Sequence, residues 1–205
     1  MTSHVIDIDP ANVSLVWFID DGALVEDTPI ALDETATPDG LAHKLSVDPS
    51  ADIDGIQITI VGTDADNNSI TEVIVGATTD TVESAKYFKT IVSVTPDTTD
   101  AATIDVGFVD EVASQIYPLN WREPFPAGLF QLVLTGTASI DFQFFIPDPA
   151  RFPDTSLVPS VVDADLDGEA ASVVAFIEEA GYHGFRVIFN SYTDTAELQI
   201  YTAQP

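Results

Sequence analysis

The chain has 205 residues, and 34 Asp and Glu against 6 Lys and Arg give it a formal net charge of −28. A surface of that sign repels phosphate backbones and anionic lipids, so neither nucleic acid nor a membrane is an expected partner. The chain has no cysteine, which excludes disulfides and thiolate metal sites, while its 45% hydrophobic content is enough for a buried core.

The N-terminal residues 2–9 predict an extended arm, in which the apolar Val5, Ile6 and Ile8 stand among acidic and small polar residues. Because a short free strand cannot bury its apolar face alone, we expect these three residues to bind a partner by pairing with an exposed strand edge. The apolar run at residues 13–19 then predicts a strand that ends at the turn signal Asp20-Asp21-Gly22.

Residues 55–95 predict a hairpin followed by a crossing strand. Apolar side chains recur mostly at every second position in three runs, which is the period of half-buried strands; the runs cover residues 56–60, 70–75 and 91–94. The small polar residues 63–69 between the first two runs predict a tight turn.

The segments around this stretch predict shorter or less regular structure. Residues 29–32 and 41–47 predict short edge strands among proline-rich loops. Residues 81–88 predict a short helical turn or an irregular link that ends at Phe88, a core anchor. Residues 102–109 predict a further strand.

A change in composition predicts a domain boundary near Ala113. Residues 115–128 carry three prolines with Trp121 and Phe125, a composition that does not fit inside a sheet. We therefore predict an N-terminal β domain with its arm over residues 1–112 and a C-terminal β-sandwich domain over residues 113–205.

The same proline-braced loop is the predicted aromatic contact surface. Tyr117, Trp121 and Phe125 are its aromatic residues, and aromatic side chains on rigid loops dominate binding hot spots. The alternative is that these three rings pack the loop onto its own domain.

The C-terminal half predicts a second hairpin and then a three-strand meander. The hairpin arms are residues 129–134 and 140–146, joined by Thr135-Gly136-Thr137. The meander strands are residues 172–177, 184–190 and 196–202, with a helix over 169–180 as the competing interpretation. The whole pattern predicts an all-β protein of two β-sandwich or open-barrel-like modules with an extended N-terminal arm.

Several stretches together resemble a pattern found in tailed-phage virion proteins. The first comprises Gly62-Thr63-Asp64-Ala65, Asn68, Ile70-Thr71-Glu72 and Lys86-Tyr87-Phe88-Lys89-Thr90-Ile91-Val92-Ser93-Val94. The second comprises Pro124-Phe125-Pro126, residues 132–134, Thr135-Gly136-Thr137, residues 142–145 and Asp148-Pro149. The chain end adds Phe185-Arg186-Val187-Ile188 and Leu198-Gln199-Ile200. The resemblance implies a non-enzymatic all-β protein of the virion, assembled in the host cytoplasm and present in many copies.

Three functions fit these expectations. The first is a capsid decoration (cement) protein that binds the lattice of the major capsid protein, as a homo-oligomer such as a trimer. The second is a tail component or a head–tail connector or fibre-base protein that contacts other virion proteins. The third is an extracellular carbohydrate-binding or adhesin-like β-module.

One loop has the spacing of a calcium ligand set. Asp163, Asp165 and Asp167 occupy alternate positions and Gly168 follows, as in loops that collect oxygen ligands for Ca²⁺. The twelfth position of such a loop needs glutamate and here is Val174, so the alternative is an acidic surface loop. We expect no other cofactor.

The residues show no catalytic pattern. His4, His43 and His183 are scattered, and neither a metalloprotease, a serine-hydrolase nor a phosphate-loop motif is present. Chance pairs of carboxylates are unavoidable among 34 acids and mark no glycosidase site. We therefore expect that the protein is not an enzyme.

Overall fold

The computed structural model describes residues 2–118, 128–145, 161–162, 174–177, 184–193 and 195–204. These residues contain β-strands and no helix, which confirms the prediction of an all-β protein built from β-sandwich-like modules. No helix long and apolar enough to cross a membrane occurs in this part of the chain.

The described residues form fifteen strands. They are β1 (Thr2–Ile8), β2 (Ser14–Ala23), β3 (Ala42–Pro49), β4 (Gln57–Thr63), β5 (Ser69–Val75), β6 (Val82–Phe88), β7 (Thr90–Pro96), β8 (Thr103–Ala113), β9 (Tyr117–Pro118), β10 (Gly128–Thr135), β11 (Ala138–Phe145), β12 (Val161–Val162), β13 (Val174–Ile177), β14 (Gly184–Tyr192) and β15 (Glu197–Gln204).

The chain divides into two compact units, Ala11–Val112 and a second unit made of Met1–Pro10 with Ala113–Pro205. The predicted domain division instead places the first ten residues with residues 11–112. They join the second unit because β1 pairs antiparallel with β15, from Thr2 opposite Gln204 to Ile8 opposite Leu198.

The unit Ala11–Val112 contains two sheets around one hydrophobic core. In one sheet, β8 lies between β2 and β3, and β3 pairs with β6; in the other the strand order is β5-β4-β7. The core is filled by the apolar side chains that alternate along these strands, which bury one face of each. Its largest fully buried members are Phe18, Ile19, Leu24, Leu45, Phe88 and Phe108.

The second unit also contains two sheets. One has the strand order β1-β15-β10-β13, and in the other β12, β11, β14 and β9 follow one another. Aromatic side chains on β11 and β14 bury themselves against each other: Phe142 lies 6.1 Å from Phe185, and Phe144 lies 6.3 Å from the same ring. Ile8, Leu198 and Ile200 are buried in this unit as well.

Several local predictions in the first unit are wrong. Residues 29–32 do not form a strand, and the predicted edge strand at 41–47 is β3, which lies between β8 and β6 inside its sheet. The strand that begins near Val13 does not end at Asp20-Asp21-Gly22 but runs through it as β2. Asp21 adopts a left-handed φ of 54°, and the pairing with β8 shifts register on both sides of Ile19, so these residues form an irregularity within the strand and not a turn. Residues 82–88 are likewise a strand, because β6 pairs with β3.

The strand pairings predicted for the second hairpin and for the meander are wrong, although the strands themselves exist. β10 pairs with β15 and β13, whereas β11 pairs with β14 and β12. Thr135-Gly136-Thr137 therefore connects two different sheets, and Gly136 takes the positive φ of 77° that this connection requires. The competing helix is excluded for Val174–Ile177, which is a strand, and the rest of residues 169–180 lies outside the described residues.

Candidate interaction surface

The outward side of the sheet β5-β4-β7 carries no formal charge. Its side chains are hydroxyls, valines and one glutamine, and we call this surface the hydroxyl–valine face. Register and burial assign to it Gln57, Thr59, Val61 and Thr63 of β4, Ser69, Thr71, Val73 and Val75 of β5, and Thr90, Val92, Ser93 and Thr95 of β7.

The strand period explains how this face arises. Inward positions include Ile58, Ile60 and Ile74, and all three are buried in the core. Glu72, opposite Ile60, is the inward position of β5 that carries a charge. The alternate positions point away from that core, and β-branched threonine and valine are the residues that strands favour there. The 2.6 Å hydrogen bond between the hydroxyls of Thr63 and Thr90 confirms that β4 and β7 present these side chains on one surface.

Valine side chains are well exposed on the hydroxyl–valine face. Val73 and Val75 are exposed on β5, and Val92, where β7 shifts register against β4, is 67% exposed. A shared apolar surface of this kind is a common mark of a protein contact.

The edge of the sheet along β7 is covered by its own chain. The Ile30 N–H donates to the Val94 carbonyl at 2.9 Å, and the Ile91 N–H donates to the Thr35 carbonyl at 2.9 Å. An edge satisfied in this way does not accept another strand. The β7 edge is therefore closed to strand addition.

The edge along β5 is partly covered by the contacts of the Glu72 side chain. Its two carboxylate oxygens accept the N–H groups of Ala85 and Lys86 at 2.7 and 3.0 Å, and the Lys86 ammonium donates to the Thr71 carbonyl at 2.7 Å. These contacts tie β5 to β6. They also place formal charges at the rim of the hydroxyl–valine face and not on it.

The turn between β4 and β5 is closed by hydrogen bonds to the carboxylate of Asp64. Asp64 Oδ1 accepts the N–H groups of Asp66 and Asn68, both at 2.9 Å, and Asn67 adopts a left-handed φ of 64°. An aspartate that bonds the main chain two residues ahead stabilises a tight turn. The hairpin β4–β5 that the sequence predicts is therefore confirmed.

A buried polar pair lies in the sheet that contains β3. The His43 Nε2–H donates to Asp39 Oδ2 at 2.8 Å, and the two side chains are 0% and 7% exposed. Burial raises the pKa of Asp39, but the hydrogen bond and charge attraction from His43, with N–H bonds from Ala11 and Leu41, outweigh it and hold that pKa below its ordinary value. Since the ring of His43 has no exposed surface, this pair supports the fold and does not meet a substrate.

The predicted arm residues lie in a paired strand. β1 is the edge strand of its sheet, with Val5 51% exposed, Ile6 half-buried and Ile8 buried. The expectation of a free arm is therefore wrong for this structure, because β15 of the same chain already occupies one edge of β1. A role of these residues in partner binding stays a prediction that concerns the other edge.

The predicted aromatic surface and metal loop fall mostly outside the described residues. Tyr117 is described: its ring packs on Phe185 at 5.5 Å, and burial raises its pKa, as expected if it packs onto its own unit. Trp121 and Phe125 lie outside the described residues, as do the predicted calcium ligands, Asp163, Asp165 and Asp167. Within the described residues, no three His, Asp or Glu side chains are grouped as a metal ion requires.

The hydroxyl–valine face is not among the surfaces that the sequence predicts. The sequence does contain a signal for this face. Over residues 57–63 and 69–75, every outward-facing position of the two strands is uncharged, in a chain with 34 acids. The chain matches no protein-family model, and comparisons with curated proteins and with solved structures give no significant match.

Proposed function

We propose that this protein is a structural component of a tailed-phage particle, a capsid decoration (cement) protein that binds the lattice of the major capsid protein. The observation that carries the proposal is the hydroxyl–valine face, an uncharged surface with exposed valines on a chain of net charge −28. Exposed apolar side chains on a surface without charge are a common feature of contacts between proteins.

The link to phage particles comes from the resemblance and from where its residues lie. Gly62-Thr63-Asp64-Ala65, Ile70-Thr71-Glu72 and residues 86–94 build the hairpin β4–β5, the end of β6 and the strand β7. One of the stretches that resemble virion proteins is therefore the part that forms the hydroxyl–valine face. This coincidence supports a role of the shared pattern in assembly.

The polar contacts of the described residues also support a structural role. Asp39 and Asp64 accept main-chain N–H bonds that close loops, and Glu72 accepts two that join β5 to β6. Carboxylates engaged in this way hold the backbone in place.

The test is the copy number of the chain in purified particles of the phage that encodes it. Gel densitometry against the major capsid protein should give hundreds of copies, because a decoration protein follows the symmetry of the capsid lattice. About six to twelve copies would instead identify a connector or tail protein, since those sit on the single tail axis. Absence from the particle would refute the proposal as a whole.

A second measurement tests whether the protein binds the capsid lattice, because the copy number shows only that it is present in the particle. Particles stripped of the protein should recover it when the purified chain is added back, and they should then resist heat better than stripped particles. A chain that binds a glycan array and leaves stripped particles unchanged would favour the carbohydrate-binding alternative.

A further inference from the structure

We infer that the hydroxyl–valine face is the contact between two copies of this chain, which pack sheet against sheet as a weak dimer that salt strengthens. This goes beyond the proposed function, and it concerns the isolated protein, so it stands or falls without a capsid. The occupant of the face follows from charge, from geometry and from area.

Charge selects an equally acidic partner. Two copies of net charge −28 repel each other, and any contact that opposes two carboxylates adds to that repulsion. The uncharged hydroxyl–valine face lets two acidic copies meet without opposing carboxylates, because a second copy presents the same uncharged face.

Geometry permits a face-to-face contact and disfavours an edge-to-edge one. The β7 edge is bonded to the segment that contains Ile30 and Thr35, and the β5 edge is tied to β6 through Glu72. Two sheets stack readily at about 10 Å when their facing side chains are small or β-branched. The valines at positions 73, 75 and 92 then bury each other across a two-fold axis.

The rim of the face supports this assignment. Asp97, at the end of β7, accepts the Gln57 N–H at 2.9 Å, and the Lys86 ammonium sits at the Thr71 carbonyl on the other edge. These charges border the contact, where water still screens them. The interior of the contact holds only hydroxyls, valines and the amide of Gln57.

Area predicts that the dimer is weak. Three strands about 4.8 Å apart and seven residues long, at about 3.3 Å per residue, give a footprint of roughly 330 Å² per copy. A standard stable interface buries about 800 Å² per partner. We therefore expect a dissociation constant of roughly 0.1 mM, which matters wherever many copies are held close together.

Sedimentation equilibrium of the full chain tests the inference. At a protein concentration of 1 mM, taken as roughly ten times the expected dissociation constant, the weight-average mass should rise from near 21.9 kDa towards twice that value as NaCl is raised from about 0.15 M to about 2 M, because salt screens the repulsion between copies. A mass that stays at the monomer value across the whole range would overturn the proposal. So would a mass that falls as salt is added, since that is the behaviour of a contact held by opposite charges.

Two matched variants locate the contact. Val73→Glu adds a carboxylate to the face and should lower the dimer association constant at least tenfold in about 2 M NaCl, because desolvating like charges is costly. Val25→Glu adds the same charge at a valine of similar exposure, 46% against 49%, beside Glu26, and should change the constant less than twofold. Equal effects of the two variants would show that net charge and not the face controls association.

A further variant guards against misfolding. Val92→Glu lies at the register shift of β7, where a polar side chain does not interrupt regular pairing, and it should repeat the loss seen with Val73→Glu. Thermal melting confirms that each variant is folded before its mass is measured. Folded Val73→Glu and Val92→Glu proteins that dimerise as the natural chain does would place the contact elsewhere. Because these outcomes are read in solution, they are independent of the copy number in particles.

Discussion

Asp39 and His43 are joined through the same carboxylate oxygen that holds the first residue of their unit. Asp39 Oδ2 accepts the His43 Nε2–H at 2.8 Å and the Ala11 N–H at 2.7 Å, while its other oxygen accepts the Leu41 N–H at 2.9 Å. One largely buried side chain therefore holds three segments: the loop at Leu41, the strand β3 at His43, and Ala11, which precedes β2. We expect the ionised form of Asp39 to stabilise the fold.

The Asp39→Asn variant should lower the free energy of unfolding by about 1–3 kcal/mol near pH 7, because a charge-assisted bond is lost and a buried donor is left unpaired. The folded-state pKa of Asp39 is lowered, so its contribution is complete above the unfolded pKa of about 3.9 and is lost as the pH falls through the folded pKa. Urea unfolding from pH 7 to pH 2.5 measures this.

A matched substitution controls for the loss of one negative charge. Asp52 is exposed and its carboxylate accepts only a local bond, from the Asp54 N–H. Asp52→Asn should therefore change stability by less than about 0.5 kcal/mol. If the gap between Asp39→Asn and the natural chain does not narrow below pH 4, ionised Asp39 is not the source of the stability.

Two buried serines in neighbouring strands should respond in opposite ways to alanine. Ser46 Oγ on β3 is buried and has no hydrogen-bond partner among the described residues, whereas Ser84 Oγ on β6 accepts the Leu45 N–H and donates to the Lys86 carbonyl. Ser46→Ala should raise the free energy of unfolding by roughly 0.5–1 kcal/mol, since an unpaired hydroxyl is removed. Ser84→Ala should lower it by about 1–3 kcal/mol, since a buried N–H loses its acceptor.

Chemical unfolding of both serine variants in one buffer provides the comparison. The two substitutions delete the same atom and differ only in what that atom contacts, so each is the control for the other. If Ser46→Ala lost as much stability as Ser84→Ala, the Ser46 hydroxyl would have a hydrogen-bond partner other than the residues around it, such as a bound water.

A close crossing of two strands should make Gly107 intolerant of any side chain. A β-carbon at Gly107 would overlap the Ser14 carbonyl oxygen and the Leu15 backbone, because β2 crosses β8 there. Gly107→Ala should therefore cost about 3 kcal/mol or more, as backbone must move. Gly40→Ala is the comparison: Gly40 has open space but a φ of 72°, so only the smaller left-handed strain of about 1 kcal/mol applies. Equal losses in thermal melting would contradict the crossing.

Local features of this fold can be predicted from the sequence, and the choice of strand partners cannot. The hairpin β4–β5 follows from alternation and from turn residues such as Asp64, which bond their own main chain. The strands β10 and β11 follow from alternation as well, but they do not pair with each other: β10 pairs with β13 and β15, and β11 pairs with β12 and β14. Nothing in the short connection at Gly136 says whether its two arms share a sheet.

The candidate interaction surfaces likewise depend on contacts that the sequence alone does not show. The residues around Tyr117 in the sequence indicate an aromatic side chain on a loop. Only the fold shows that its ring packs on Phe185. The hydroxyl–valine face needs the register of three strands, since Thr59, Val73 and Thr95 are neighbours only across the sheet. Composition along the chain shows which residues lack charge, and the register shows that they form one surface.

Deletion of residues 1–9 separates a paired β1 from a free arm. β1 covers β15 over seven residue pairs, and Ile8 is 2% exposed, so the deletion should cost at least about 2–5 kcal/mol and expose the β15 edge. Hydrogen exchange followed by mass spectrometry should then show faster exchange in Glu197–Gln204 and unchanged exchange in β4. Ile8→Ala should reproduce much of the loss of stability, whereas Val5→Ala, at an exposed position of the same strand, should cost less than about 1 kcal/mol. Unchanged exchange of β15 after the deletion would mean that the N-terminal strand is free in solution and available to a partner, as the sequence alone predicts.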